Sequence, residues 1–137
     1  MALALRTLIA SAVIVALAGC AQPSPSGVTA TWRLAPGAEP DAAATSIDVL
    51  VTRLECNSGV TGTVDEPRVE ALDGEVVITI TVSPGTPMVA DCQGNDEVPA
   101  TVFLPEPLGD RPLVDGACRT TRASSTVFCE SEIRFAP

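Results

Sequence analysis

The sequence predicts an all-β protein, a single antiparallel β-sandwich of immunoglobulin-like type braced by two disulfides. Three observations carry that expectation. Short apolar/polar alternations recur along residues 28–137, separated by Pro, Gly, Asn and Asp roughly every ten residues, and no stretch has a convincing helical period. Four cysteines, Cys56, Cys92, Cys118 and Cys129, fall inside that region. The chain has 137 residues, enough for one domain with a modest core and too few for two.

Val28-Thr29-Ala30-Thr31-Trp32-Arg33-Leu34 alternates and reads as the first strand, with Trp32, the only tryptophan, as core filler. Ala35–Asp41 contains two prolines and a glycine and reads as a loop; Ala42-Ala43-Ala44 suggests a short helical turn. Ser46–Cys56 is a strong strand, with Ile47, Val49 and Val51 on one face and Leu50 and Leu54 on the other. In Arg68–Ser83, two alternating runs flank Asp73-Gly74, the pair favoured in type I′ hairpin turns. Val76, Ile78, Ile80 and Val82 then face the core, with Thr79 and Thr81 opposite. Met88–Cys92 suggests another short strand, and Val98–Leu104 a further one with Val102 and Leu104 on one face. Glu106–Gly116 reads as a crossover punctuated by Pro and Gly. Thr126–Phe135 is the expected last strand, with Val127, Cys129, Ile133 and Phe135 inward and Glu130, Glu132 and Arg134 outward.

The residue types that are missing exclude more than those present suggest. The chain has no Lys, no His and no Tyr. Without His there is no Ser-His-Asp or Cys-His nucleophile and no His-ligated zinc; without Lys there is no Schiff base. Acid-base chemistry would rest on carboxylates alone. A carboxylate-only hydrolase needs two acids flanking a groove, commonly with aromatic platforms, and four aromatics barely suffice for a core. The expectation is therefore a non-enzyme without cofactor. Beyond residue 19, seven arginines face 17 acids, a formal charge of −10. That balance argues against nucleic acid, whose phosphates need clustered cations, and against anionic membrane surfaces.

Several stretches are candidates for function. Asp91-Cys92-Gln93-Gly94-Asn95-Asp96-Glu97 concentrates oxygen ligands, so Asp91 and Asp96 are weak Ca²⁺ candidates, although the spacing is not that of an EF-hand and such runs more often form turns. Asp110, Arg111 and Asp115 mark a candidate binding loop, with Arg111 contacting an anion. The plainer alternative is an ordered crossover, with Arg111 paired locally and Leu113 and Val114 plugging the core.

Residues 1–19 contain one charge, Arg6, then an apolar run from Leu8 to Leu17 broken only by Ser11. The run is short for a bilayer span, which takes about 20 apolar residues, and fits a signal peptide. It ends in Leu17-Ala18-Gly19-Cys20, which resembles the lipobox of bacterial lipoproteins. The resemblance implies cleavage before Cys20, palmitate-type acylation of Cys20 and anchorage to the cell membrane on its extracytoplasmic face. In two-membrane bacteria, Ala21 after the cysteine would favour the outer membrane. Residues 20–27 then make the lipidated cysteine and a Pro/Ser tether, about 3 Å per residue, ahead of a domain spanning 28–137.

Setting Cys20 aside leaves four cysteines in an exported domain, an even number that implies two disulfides and three connectivities. Cys56–Cys92 and Cys118–Cys129 is the expected one: the second pair closes a short polar loop, and the first ties the Leu54 strand to the segment before Gly94. In the chain-entropy view these loops contribute about 4 and about 3 kcal/mol. A Cys₄ metal site is the weak rival, since no Cys-x-x-Cys pair exists.

The phrases Val51-Thr52-Arg53-Leu54-Glu55-Cys56, Asp91-Cys92-Gln93-Gly94-Asn95 and Glu106–Cys118 together are similar to a group of small secreted lipoproteins of actinobacteria. The likeness spans Trp32–Cys118 and implies a shared β domain with no activity attached. The functional expectation is a membrane-anchored binding or structural module of the cell envelope, whose partner is an envelope protein or small ligand. A Ca²⁺-dependent adhesion module is the alternative.

Overall fold

The computed structural model describes residues 27–85, 90–120 and 122–137. Seven strands run in chain order: β1 Val28–Leu34, β2 Ser46–Arg53, β3 Arg68–Ala71, β4 Val76–Val82, β5 Val98–Phe103, β6 Leu113–Asp115 and β7 Ile133–Phe135. Two short 3-10 turns, Gly116–Arg119 and Val127–Cys129, interrupt the last stretch, and the described residues contain no α-helix. The strands hydrogen-bond in the order β5-β2-β1-β4-β6-β7, with β3 on the other edge of β4. Both expected disulfides are present, Cys56–Cys92 and Cys118–Cys129.

The fold is organised around β4. Its even-numbered residues, Val76, Ile78, Ile80 and Val82, are all buried, as alternation predicts. They meet Trp32 and Ala30 of β1, Ile47, Val49 and Val51 of β2, and Val102 of β5 in one core. The Trp32 indole N–H reaches the Ile78 carbonyl at 3.0 Å, which satisfies the one polar atom of that large side chain.

One edge of β4 changes partner along its length. Ile80–Val82 pair antiparallel with Val28–Ala30 of β1, whereas Val76–Ile78 pair parallel with β6. The sheet is therefore mixed, not wholly antiparallel as alternation alone suggested. The crossover after β5 makes this possible. Leu104, Leu108 and Gly109 donate backbone bonds to Thr45, Ala44 and Ala42, so the chain is held against the segment preceding β2. Leu108 is fully buried, and Val76 donates to the Pro112 carbonyl as β6 begins beside β4.

Three local expectations are corrected. The β3–β4 hairpin pairs as foreseen, Ala71 opposite Val76, but neither Asp73 nor Gly74 has a positive φ, so the turn is not type I′. Leu72 donates to the Glu75 carbonyl at 2.9 Å, while its own carbonyl accepts from Arg111 Nη1 at 3.2 Å. Ala42–Ala44 form one turn closed by Ala44 donating to the Asp41 carbonyl, without a helix. The expected strand Thr126–Phe135 is a 3-10 turn followed by the three-residue β7, and only part of its expected inward face is kept: Phe135 packs against the core. Val127 and Ile133 are exposed, and Arg134 turns inward to a buried carboxylate. Burying that ion pair outweighs the preference of two β-branched residues for the interior. Of the expected strand Met88–Cys92, Met88 and Val89 lie outside the described residues, and Ala90, Asp91 and Cys92 are irregular.

Gly27 begins the described structure. A Cβ there would overlap the Asp65 carboxylate and the Thr81 hydroxyl, so this position belongs to the packed domain and only glycine fits it.

Candidate functional site

Asp115, Arg111 and Asp110 lie in separate networks. Asp115 is fully buried at the fork where β1 leaves β4 and β6 takes its place. One carboxylate oxygen accepts from Thr31 Oγ1 (2.6 Å), Arg134 Nη2 (2.8 Å) and the Trp32 N–H (3.3 Å); the other caps the Ala117 N–H at 3.0 Å. Past Ala30, β1 has lost its β4 partner, and the Asp115 side chain supplies the acceptor that Trp32 would otherwise lack. Arg111 staples its own loop, donating to the carbonyls of Leu108, Pro107 and Leu72 and to Glu106. Asp110 is exposed and makes no side-chain bond among the described residues. No anion-binding loop is formed by the three together.

Asp91 and Asp96 also serve local structure. The Asp91 backbone exchanges bonds with Ser58, while the Asp96 carboxylate accepts the Thr61 N–H at 2.6 Å. Among the described residues no group of three His, Cys, Asp or Glu is placed to hold a metal ion. A shallow dent near Glu39, Asp41 and Asp48 has its acids engaged in part: Asp41 caps Ala43 and Asp48 accepts from Thr101. Cys20 and residues 1–19 lie outside the described residues.

The concave feature with convergent polar groups is elsewhere, on the outer face of β1 and β2. Odd-numbered β2 residues face the core, so Thr52 points outward, opposite Thr31 of β1. The segment 116–135 crosses this face, held by the Asp115–Arg134 pair and by Arg134 donating to the Phe128 carbonyl at 2.9 Å. It brings Phe128 into the wall of the same hollows as Thr52. Two adjoining lobes, of about 360 and 150 Å³, share Thr52, Glu97 and Phe128 in their walls. The larger extends along Leu54, Glu55 and Asn95 to the Cys56–Cys92 bridge; the smaller reaches Thr31, Arg33 and Arg134.

Glu97, just ahead of β5, meets Arg33 of β1 through two bonds of 2.6 Å. Hydrogen bonding to the Arg33 guanidinium holds the Glu97 carboxyl below its ordinary range; desolvation opposes this and the guanidinium charge reinforces it. Glu97 is thus kept as an anion. A general acid needs the reverse shift. The second acid of the groove, Glu55, is paired with Arg122 at 2.6 Å.

No family model, curated protein or solved structure matches this chain.

Sequence reasoning did not find this groove. Glu97 and Asn95 appeared only as part of an acidic turn, and Thr52 as one residue in a strand. The signal was the strand register, which sets Thr52 against Thr31 and cannot be read from alternation within one strand. Nor are the aromatics all core filler. Phe103 is 76% exposed and Phe128 45%.

Proposed function

We propose that this chain is a lipid-anchored, non-enzymatic binding module of the bacterial cell envelope, attached through Cys20 on the extracytoplasmic face of the cell membrane. The observation that carries the reading is Leu17-Ala18-Gly19-Cys20 at the end of an apolar run. Two disulfides support it, because such bridges persist in oxidising compartments outside the cytoplasm. The packed domain beginning at Gly27 supports it too, leaving residues 21–26 as spacer between anchor and fold. Among the described residues no helix is long and apolar enough to cross a membrane. Each acyl methylene buried in lipid adds about 0.8 kcal/mol, and durable anchoring takes more than one chain, which the diacylglycerol of this lipoprotein class supplies.

The finer architecture is an immunoglobulin-like sandwich. Two features support it: the β5-β2-β1-β4 and β3-β4-β6-β7 groups share β4, and both contribute to a single core. The binding role rests on the groove over Thr52. Fractionation of cells expressing the wild type and Cys20→Ala tests the anchor. The wild type should partition with membranes and lack residues 1–19 by mass spectrometry, with acyl mass on Cys20, while the variant becomes soluble. Equal membrane retention of the two proteins, or an unmodified Cys20 in the mature chain, would overturn the reading.

A further inference from the structure

We propose that the groove over Thr52 binds a neutral sugar, a pyranose ring or the end of a short glycan. The proposal rests on reading the chain as a binding module and names its ligand class. Thr52 is 9% exposed, and its hydroxyl has no hydrogen-bond partner among the described residues. The side chain is largely covered, yet its hydroxyl is not one of the buried unpartnered atoms, which are Arg53 Nε and Arg134 Nε; it stays open to the groove and is available to a ligand group. It lies in the wall of both lobes.

The remaining hydrogen-bonding capacity around it is acceptor-rich. Asn95 uses its amide hydrogens on the carbonyls of Arg53 (3.0 Å) and Glu55 (2.8 Å), which leaves Oδ1 without a donor. The Glu97 carboxylate accepts from Arg33 only and keeps lone pairs free on both oxygens. Ligand donors therefore have at least three places to go.

The charges around the groove are already matched. Glu97 pairs with Arg33, Glu55 with Arg122 and Asp115 with Arg134. Arg53 points its guanidinium the other way, into the fold, where Nη1 donates to the carbonyls of Thr61 and Ser83. Arg53 is the one charge in the wall without a carboxylate, and it is buried and bonded to carbonyls, so an ionic ligand would meet no accessible unpaired counter-charge. A wholly apolar one would cover Thr52 and Asn95 without satisfying them. A pyranose has hydroxyl donors round its rim and C–H groups on its face, which suit the half-exposed Phe128 ring. The larger lobe, about 360 Å³, is at the small end of the range for ligand pockets.

The test is titration of the full chain, in a detergent without a sugar headgroup, with glucose, galactose, mannose and N-acetylglucosamine. Binding is read by saturation-transfer NMR and calorimetry. At least one sugar should bind saturably. Thr52→Val should weaken it about tenfold and Phe128→Ala at least as much, whereas Thr52→Ser and the distant Phe103→Ala should bind like wild type. Thermal melting of each variant establishes that it is folded. Absence of saturable binding for all four sugars would overturn the proposal, as would binding indifferent to both Thr52→Val and Phe128→Ala. Competition by acetate or methylammonium would also overturn it, since the groove would then be an ion site. Capture of an envelope protein whose attachment survives both variants would overturn the sugar and leave the binding module standing; Cys20→Ala fractionation reads the anchor independently.

Discussion

Asp115 has no solvent exposure, and Thr31, Trp32, Ala117 and Arg134 all donate to it. It joins three elements through one carboxylate: the start of the last segment, the unpaired edge of β1, and β7. Arg134 is 14% exposed, so its charge is largely desolvated and depends on this partner. Removing one member of such a pair leaves the other buried and uncompensated, and typically costs about 3–5 kcal/mol. Asp115→Ala should therefore lower the urea midpoint by a corresponding amount. The double variant Asp115→Ala/Arg134→Met should recover part of the loss, because the stranded cation is gone. A loss below about 1 kcal/mol for the single variant would mean that solvent replaces the pair.

At the scale of elements, turns and partners decide what strand propensity leaves open. The β3–β4 hairpin closes without a positive φ at Asp73 or Gly74, since Arg111 takes the Leu72 carbonyl that a reciprocally bonded turn would use. A Cβ at Gly74 meets nothing within 4 Å. Gly74→Ala should be neutral or stabilise by about 0.4–1 kcal/mol through the unfolded state, measured by chemical denaturation. A type I′ turn would instead be destabilised by that change. Gly116 is the contrasting glycine. A Cβ there would overlap the Thr79 hydroxyl and crowd Val77, so the final segment lies on β4 only because this residue has no side chain. That approach, with the Cys118–Cys129 bridge, carries Phe128 over β1 and β2 and so makes the groove.

The whole molecule combines a strongly acidic surface with arginines placed among the acids. Of the arginines in the described residues, Arg53 alone has no carboxylate partner; Arg119 joins both Glu75 and Glu132. Hydrogen bonds from Arg119 and Arg33 hold Glu75 and Glu97 below the ordinary glutamate value of 4.5. A carboxyl depressed in the folded state adds stability above its unfolded pKa, and that increment is lost as pH falls through the folded value. Melting temperature should therefore stay level at mildly acidic and neutral pH and decline only below about pH 4.5. The pairs are exposed, so the decline should be shallow. In about 1 M salt, where the Debye length is about 3 Å, it should be shallower still. A melting temperature that rose steadily on acidification would instead put relief of acid-acid repulsion ahead of the pairs.

Much of this was legible in one dimension. The all-β class, the strands from Val28 to Phe103, the inward row Val76-Ile78-Ile80-Val82 and both disulfides follow from alternation, turn residues and cysteine parity, which are local or countable properties. The proposed lipobox is likewise a local reading, of four adjacent residues, and the exclusion of histidine and lysine chemistry is a matter of counting. Tertiary structure alone decided the parallel β4–β6 pair, the inward turn of Arg134 and the groove. Each depends on residues distant in the chain, Thr31 with Asp115 and Arg134, or Thr52 with Glu97 and Phe128. Desolvating a carboxylate makes its partner's position imperative. That need turns Arg134 inward and leaves Ile133 at the surface, against what hydrophobicity alone sets, while Phe135 stays packed on the core.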